Sequence, residues 1–523
     1  MFSRSKVLRD FGSPLLGQGE GEGEGSIQRG WQVDFQTPHL RPLPFSKGRG
    51  GKRQTECGAQ LVLRSFPFER GFAMHANMSK HLVLLPIIVC FVFALIPAST
   101  KESPMPVASA GTEQNVSALD PAAATQTWLA TVPRNEREKS DAYFEGGYWL
   151  ILWNFLLAAA ISIFLLTSRI SARLRDFAER VCRGSWQLPL QVILYAIPYF
   201  LTVAALSFPL NLYENFFREH QYGLATESFL PWFREQVIGL GIAIIGGTVL
   251  LIVLYAVFRR APRTWWIWGT VVAVVFMFVI AFIAPVFIEP LFNTYKPLTR
   301  PEIRDPILAM ARANQIPVKQ VFEVDASRQT TRVSANVAGV LGTTRIALND
   351  NLLKQCTFPE IREVMAHEMG HYVLNHGAKL LTYFGIFVLI GFALTRALFD
   401  AAVRRWGGRW GVRGIADPAG LPLLVLIFIA LVFVATPFLN TVVRVTEREA
   451  DAFGINTSRE PDGMAKVALK LGAYRKLDPT PLEEFIFFDH PSGRSRIRMA
   501  MDWKAAHLPA GESPVADGDS SIR

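Results

Sequence analysis

Cysteine is scarce in this chain: there are four in 523 residues, Cys57, Cys90, Cys182 and Cys356, and no two stand at ligand spacing. Without a C-x-x-C pair, neither a disulfide framework nor a cysteine metal centre is expected. Histidine is sparse too, at nine, and no segment repeats. Charge is thin, at 19% of residues, and it is nearly missing from seven long apolar stretches: 81–98, 147–168, 188–210, 237–258, 266–288, 380–397 and 420–439. A soluble fold has nowhere to bury seven such blocks, whereas each can cross ~30 Å of hydrocarbon as a helix. The formal net charge of +10 is no nucleic-acid footprint, because the basic residues gather beside the apolar blocks instead of interleaving with aromatics. The expected partner is the lipid bilayer, and no nucleic acid.

What remains between the blocks divides the chain. Residues 1–77 carry "GQGEGEGEG" at 17–25 and the basic run "SKGRGGKR" at 46–53, with no periodic apolar pattern. They read as a disordered extension, and the chain is expected to begin at Met74 or Met78, where "MSKHLVLLPIIVCFVFALIPAST" has the form of a signal peptide or first anchor. Region 78–288 then holds five spans, with a polar loop at 99–146 and an aromatic, charged segment at 211–236 suited to the membrane interface. Residues 289–379 are the one long soluble stretch between spans. They predict a helix over 302–314, a strand near 320–324, a hairpin across 330–348 and a further helix. Two more spans occupy 380–440. A C-terminal segment, 441–505, opens with a helix to about 457, and 506–523 is a polar, disordered tail.

The stretch "VMAHEMGHYVLNHG", Val364 to Gly377, sets two histidines four residues apart. On a helix such residues share a face about 6 Å apart at Cβ, so His367 and His371 can converge on one ion. Zinc suits neutral imidazoles, and a catalytic zinc keeps three protein ligands and an open position. Glu368, one residue on, is placed as general base without being a ligand. A third ligand is expected from "NTVVRVTEREADAFG", Asn440 to Gly454, which offers Glu447 and Glu449. Helical phasing puts Arg444, Glu447 and Asp451 on one face and turns Glu449 about 200° away from Glu447. Glu447 is therefore the predicted ligand, with Asp451 and Arg444 beside it to orient the site.

These segments resemble the integral-membrane type I CAAX prenyl endopeptidases, zinc proteases with seven spans. The resemblance runs from about Met78 to Trp503 and rests on four stretches: "HEMGHYVLNHG", "NTVVRVTEREADAF", "EPLFNTYKPL" at 289–298 and "DHPSGRSRI" at 489–497. It implies a mainly α polytopic membrane protein with a gluzincin-like zinc metalloprotease domain and a small β-hairpin. It implies one Zn2+ on His367, His371 and Glu447, with Glu368 as base and with His490 and Arg496 lining the active site. His490 would stabilise an oxyanion; the plainer alternative is a loop histidine bonded to backbone. Two positions depart from the pattern. Val443 replaces a serine, and Ser334-Ala335 replaces the Asn-Ala of the substrate strand, so Ser334 offers a weaker anchor to a peptide lying along it.

The leading reading is a membrane zinc endopeptidase acting on peptide or protein substrates. They are either prenylated or membrane-embedded and damaged, and architecture does not choose between the two. A transporter or scaffold with a structural metal is the alternative of another class, against which stand the few charges within the blocks and the three-ligand set. Arginine clusters at 169–183, 259–263 and 404–413 lie in alternate loops. The positive-inside rule makes that side cytoplasmic and, in a bacterial inner membrane, sets the active site on the non-cytoplasmic side.

Overall fold

A computed structural model of the chain describes residues 119–184, 187–339 and 344–507. The extension 1–77, the first expected span at 81–98 and residues 508–523 lie outside that range. The described part is mainly α, with six helices long and apolar enough to cross a membrane. They run within α2 (Arg134–Thr167), α4 (Leu188–Leu212), α5 (Phe229–Arg260), α6 (Trp265–Ile283), α10 (His376–Trp410) and α11 (Leu421–Ser458). Apolar side chains at helical spacing, such as Ile245, Val249 and Val253 of α5, stay exposed, as a lipid-facing stripe requires. The inward faces pack around Tyr195, Phe200, Leu250, Phe258, Trp265, Phe392 and Phe428.

Two expectations are corrected. The polar stretch 99–146 is no loop over its described part: α1 (Pro121–Ala130) precedes α2, which begins at Arg134. Hydropathy misses this turn of events because the first turns of α2 leave the apolar layer and bond to protein. Ser140 donates to the Gly472 carbonyl, and Tyr143 donates to Glu219 Oε1 at 2.6 Å. Segment 211–236, expected at the membrane interface, continues α4 as helix through a π-helical turn at Tyr213–Phe217 and a last turn at Arg218–Gln221, before α5 starts. Its aromatics pack on each other, with Phe216 and Trp232 centroids 5.4 Å apart. Finally, the last span and the helix after it are one element, α11.

The amphipathic α3 (Ile170–Val181) follows α2, and its buried Arg175 meets Asp417 at 2.5 Å, so the loops after α2 and α10 lie together at one end of the bundle. From the end of α6 the chain leaves the bundle through turns at Ala284–Ile288 and Glu289–Leu291. Buried Glu289 accepts from Tyr295 at 2.8 Å and pairs with Arg345 at 2.8 Å, which fastens the soluble segment to the helix end.

The soluble segment contains β1 (Tyr295–Pro297), α7 (Pro301–Ala313), β2 (Val321–Val324), β3 (Ala335–Ala338), β4 (Arg345–Asn349), α8 (Asp350–Gln355) and α9 (Phe358–Val373). The hairpin is present as β3–β4, within a larger mixed sheet of order β1-β2-β4-β3 in which β2 and β4 are parallel. Strand β3 is thus an edge, and it packs against α9. The C-terminal part adds α12 (Pro461–Leu471), α13 (Pro481–Phe487) and α14 (Gly493–His507), the last packed on α1 and α12.

Candidate metal centre

Helix α9 starts at Thr357, whose backbone N–H and hydroxyl both donate to Glu360 Oε2 three residues on, a capping arrangement that satisfies an orphan donor. It then crosses α11 at close range. A Cβ on Gly370 would meet Phe453 Cδ1 at 3.0 Å and Ala450 Cα at 3.3 Å; one on Gly454 would meet the His367 backbone at 3.1 Å. The glycines of "HEMGH" and "DAFG" let the two backbones approach, and that approach joins the histidine clamp to the glutamate.

His367 Nε2 and His371 Nε2 stand 3.0 Å apart. Glu447 places Oε2 3.5 Å from the first and Oε1 3.6 Å from the second. Donors about 2.0–2.1 Å from a tetrahedral zinc stand roughly 3.3 Å from one another, and the two nitrogens, and each nitrogen with the carboxylate oxygen facing it, stand at about that spacing. Two nitrogens and one carboxylate oxygen are also a donor set that zinc takes. Among the described residues this is the group of His, Cys, Asp and Glu compact enough to hold an ion.

The surroundings orient each donor. His367 Nδ1 donates to Asp451 Oδ1 at 2.8 Å, and Arg496 supports that carboxylate, with Nε 2.8 Å from Asp451 Oδ2 and Nη2 3.3 Å from Glu447 Oε2. Burial opposes a charged His367, but hydrogen bonds to Asp451 and Glu447 outweigh it and hold its pKa well above the ordinary histidine value. Those carboxylates call for positive charge, which a divalent cation supplies better than a proton. One turn earlier, burial pushes Glu363 up to about 8 against the opposing bond from the Ser458 hydroxyl.

In the structure Asp451 lies beside Glu447 on α11, and Glu449 stands apart from the donor cluster. Sequence phasing misplaces Arg444, whose guanidinium is not beside the donors but on the carbonyls of Glu484 and Phe488 and on the Thr441 hydroxyl. Arg444 thereby ties α11 to the end of α13, just before Asp489 and His490. His490 reaches the centre, with Nε2 3.3 Å from Glu447 Oε2 and Nδ1 2.8 Å from Asp489 Oδ1. Arg496, expected to line the site, is buried and bonded to the two carboxylates. Glu368 is half-buried on α9. Ser334 directly precedes β3; its backbone N–H donates to Asn349 Oδ1 at 3.1 Å and its carbonyl accepts from Asn349 N at 2.9 Å, while Ala335 pairs with Leu348.

Sequence reasoning assigned no role to His376, which is fully buried with Nδ1 2.8 Å from His371 Nδ1 and Nε2 3.0 Å from Glu449 Oε2. The available signal was Asn375, which adopts a φ of 56° between α9 and α10. Asparagine tolerates that left-handed conformation, and it turns His376 back toward α9.

Comparison with known proteins places the chain in a family. Residues 297–504 match peptidase family M48, and residues 121–294 match the CAAX prenyl protease N-terminal region, described as five membrane helices. The metalloprotease YhfN of Bacillus subtilis is 31% identical over 64% of this chain and 78% of its own. CAAX prenyl protease 1 homolog of Arabidopsis thaliana is 28% identical over 55% of this chain and 68% of its own. The crystal structure of Saccharomyces mikatae Ste24p shares the fold, with a TM-score of 0.58 at 20% identity, over 73% of this chain and 94% of that one. The chain belongs to peptidase family M48, as a multi-pass membrane metalloendopeptidase.

Proposed function

We propose that this chain is a zinc endopeptidase in which His367, His371 and Glu447 hold the ion. The observation that carries the reading is the donor cluster, with the two imidazole nitrogens 3.0 Å apart and the two Glu447 oxygens 3.5 Å from the one and 3.6 Å from the other. Zinc would supply Lewis acidity, polarising a peptide carbonyl and making a water acidic enough to attack at neutral pH. Glu368 takes the proton from the attacking water and passes it to the leaving amine. His490, whose Nε2 stands 3.3 Å from Glu447 Oε2, is within reach of the centre to stabilise the carbonyl oxygen as negative charge develops there. Arg496 and Asp451 keep Glu447 and His367 in place. A substrate strand would lie along the edge strand β3 beside Ser334 and Ala335, held by main-chain hydrogen bonds.

For the substrate, the relatives named CAAX prenyl proteases favour a prenylated C-terminal peptide. The alternative is a protease of damaged membrane proteins that has no prenyl requirement, and Ser334 in place of the family's asparagine leaves the substrate preference open. The arginines at 169–183, 259–263 and 404–413 gather at the bundle end where Arg175 meets Asp417. That end is read as cytoplasmic, in a bacterial inner membrane, so the metal centre faces the other side. Metal analysis of purified protein, with a chelator-sensitive cleavage assay on a farnesylated peptide and on a misfolded membrane protein, tests the activity. Cleavage that persists without metal would refute it, and the preferred substrate decides between the two readings.

A further inference from the structure

We propose that Glu449 and His376 are positioning residues that set the tautomer of His371 and thereby the strength of the metal site. The inference rests on the reading of His367, His371 and Glu447 as zinc ligands. An ionised carboxylate only accepts hydrogen bonds. Glu449 Oε2, 3.0 Å from His376 Nε2, therefore requires the proton on that nitrogen. With its proton on Nε2, His376 presents a lone pair at Nδ1, 2.8 Å from His371 Nδ1. His371 must donate from Nδ1, which leaves the lone pair of its Nε2 directed at the triangle with His367 and Glu447. With the opposite tautomer of His376, His371 would carry its proton on Nε2, where it blocks coordination.

The two histidines of the clamp are thus served differently. His367 meets a carboxylate directly, in Asp451. His371 meets a second imidazole, which can donate or accept at either nitrogen and so must itself be fixed. Glu449 does this from the surface, where it is 44% exposed and held by Lys379 Nζ at 2.6 Å. His376 is 0% exposed, which leaves no solvent path to either of its nitrogens. Partners of metal-ligating histidines typically change metal affinity 10–100-fold when replaced.

The test uses the full chain in detergent, with zinc affinity read by competition against a chelating dye and the ligand field read from the visible spectrum of the cobalt-loaded protein. His376→Leu removes the acceptor at Nδ1, whereas His376→Asn restores it as an amide oxygen. Glu449→Gln puts a potential donor against Nε2 and permits the wrong tautomer. Affinity should fall about 10–100-fold in His376→Leu and Glu449→Gln, with an altered cobalt spectrum, and His376→Asn should recover most of it. Equal losses in the Leu and Asn variants, or wild-type affinity in Glu449→Gln, would overturn the proposal. If His376→Leu does not fold, the surface variant Glu449→Gln decides. Glu447→Ala is the reference: retention of zinc there would refute the ligand assignment itself, whereas loss there beside wild-type affinity in Glu449→Gln refutes the relay alone.

Discussion

Gly454 of α11 lies against His367 of α9 so closely that a Cβ would stand 3.1 Å from the His367 backbone nitrogen and 3.0 Å from Glu363 Oε1. Two backbones and a buried carboxylate leave little to yield. Gly454→Ala should force the helices apart, at about 1–3 kcal/mol for overpacking, and loosen the donor triangle with them. Lower thermal stability together with weaker zinc retention is the expected result. Gly239→Ala is the control, because its Cβ would meet nothing within 4 Å.

Zinc content and turnover should separate in Glu368→Gln. The carboxylate is assigned to proton transfer and not to the metal, so zinc stays bound while peptide cleavage falls by about 10²–10⁴-fold. Wild-type turnover in that variant would remove Glu368 from the mechanism.

Arg444 supplies a different separation. It holds the carbonyls of Glu484 and Phe488 just ahead of His490, and it touches none of the three donors. Arg444→Ala should leave zinc affinity unchanged and lower kcat/KM by up to about 10²-fold through misplacement of His490. Loss of zinc with unchanged kcat/KM in the loaded protein would restore Arg444 to the metal site.

Glu363 gives the protein a pH-dependent stability. Burial raises its folded pKa to about 8 from the ordinary 4.5, so the folded state binds the proton more tightly than the unfolded chain. The stability this confers is complete below about pH 4.5 and is lost as the pH rises through 8. Thermal melts across that window should show a decline in wild type that flattens in Glu363→Gln. Parallel declines in the two proteins would show that Glu363 does not titrate there.

Orientation in the membrane can be read with alkaline phosphatase, which is active only outside the cytoplasm. Fused after Ala505 it should be active, and fused after Arg409 inactive. The reverse pattern would move proteolysis to the cytoplasmic face.

Periodicity made much of this molecule legible in its sequence. The apolar blocks mark the six described spans, and the spacing of four in "HEMGH" announces the clamp. The phase of α11 separates Glu447 and Asp451 from Glu449. All of these are properties of one helix or one span, governed by neighbours within a turn or by transfer to lipid, so they survive without knowledge of the fold. Polar residues on a helix that has left the apolar layer carry no such signature, which is why Arg134–Gly146 reads as loop and folds as the start of α2.

Contacts between elements lay beyond that horizon. Phase says that Glu449 points away from Glu447, and it does; only the packing of α10 beside α11 brings His376 to meet it. Phase sets Arg444 on the face of Glu447, and only the passage of α13 draws the guanidinium to the carbonyls there instead. The parallel pairing of β2 with β4, which leaves β3 at the edge of the sheet beside α9, follows from the route of the chain between β2 and β4 and not from any strand's own residues. The sequence by itself determined which side chains share a helix face and which segments belong in lipid, because backbone geometry and hydrophobic transfer act locally. Tertiary structure alone decided which face meets which, because two crossing helices bring together residues whose separation along the chain carries no periodic trace.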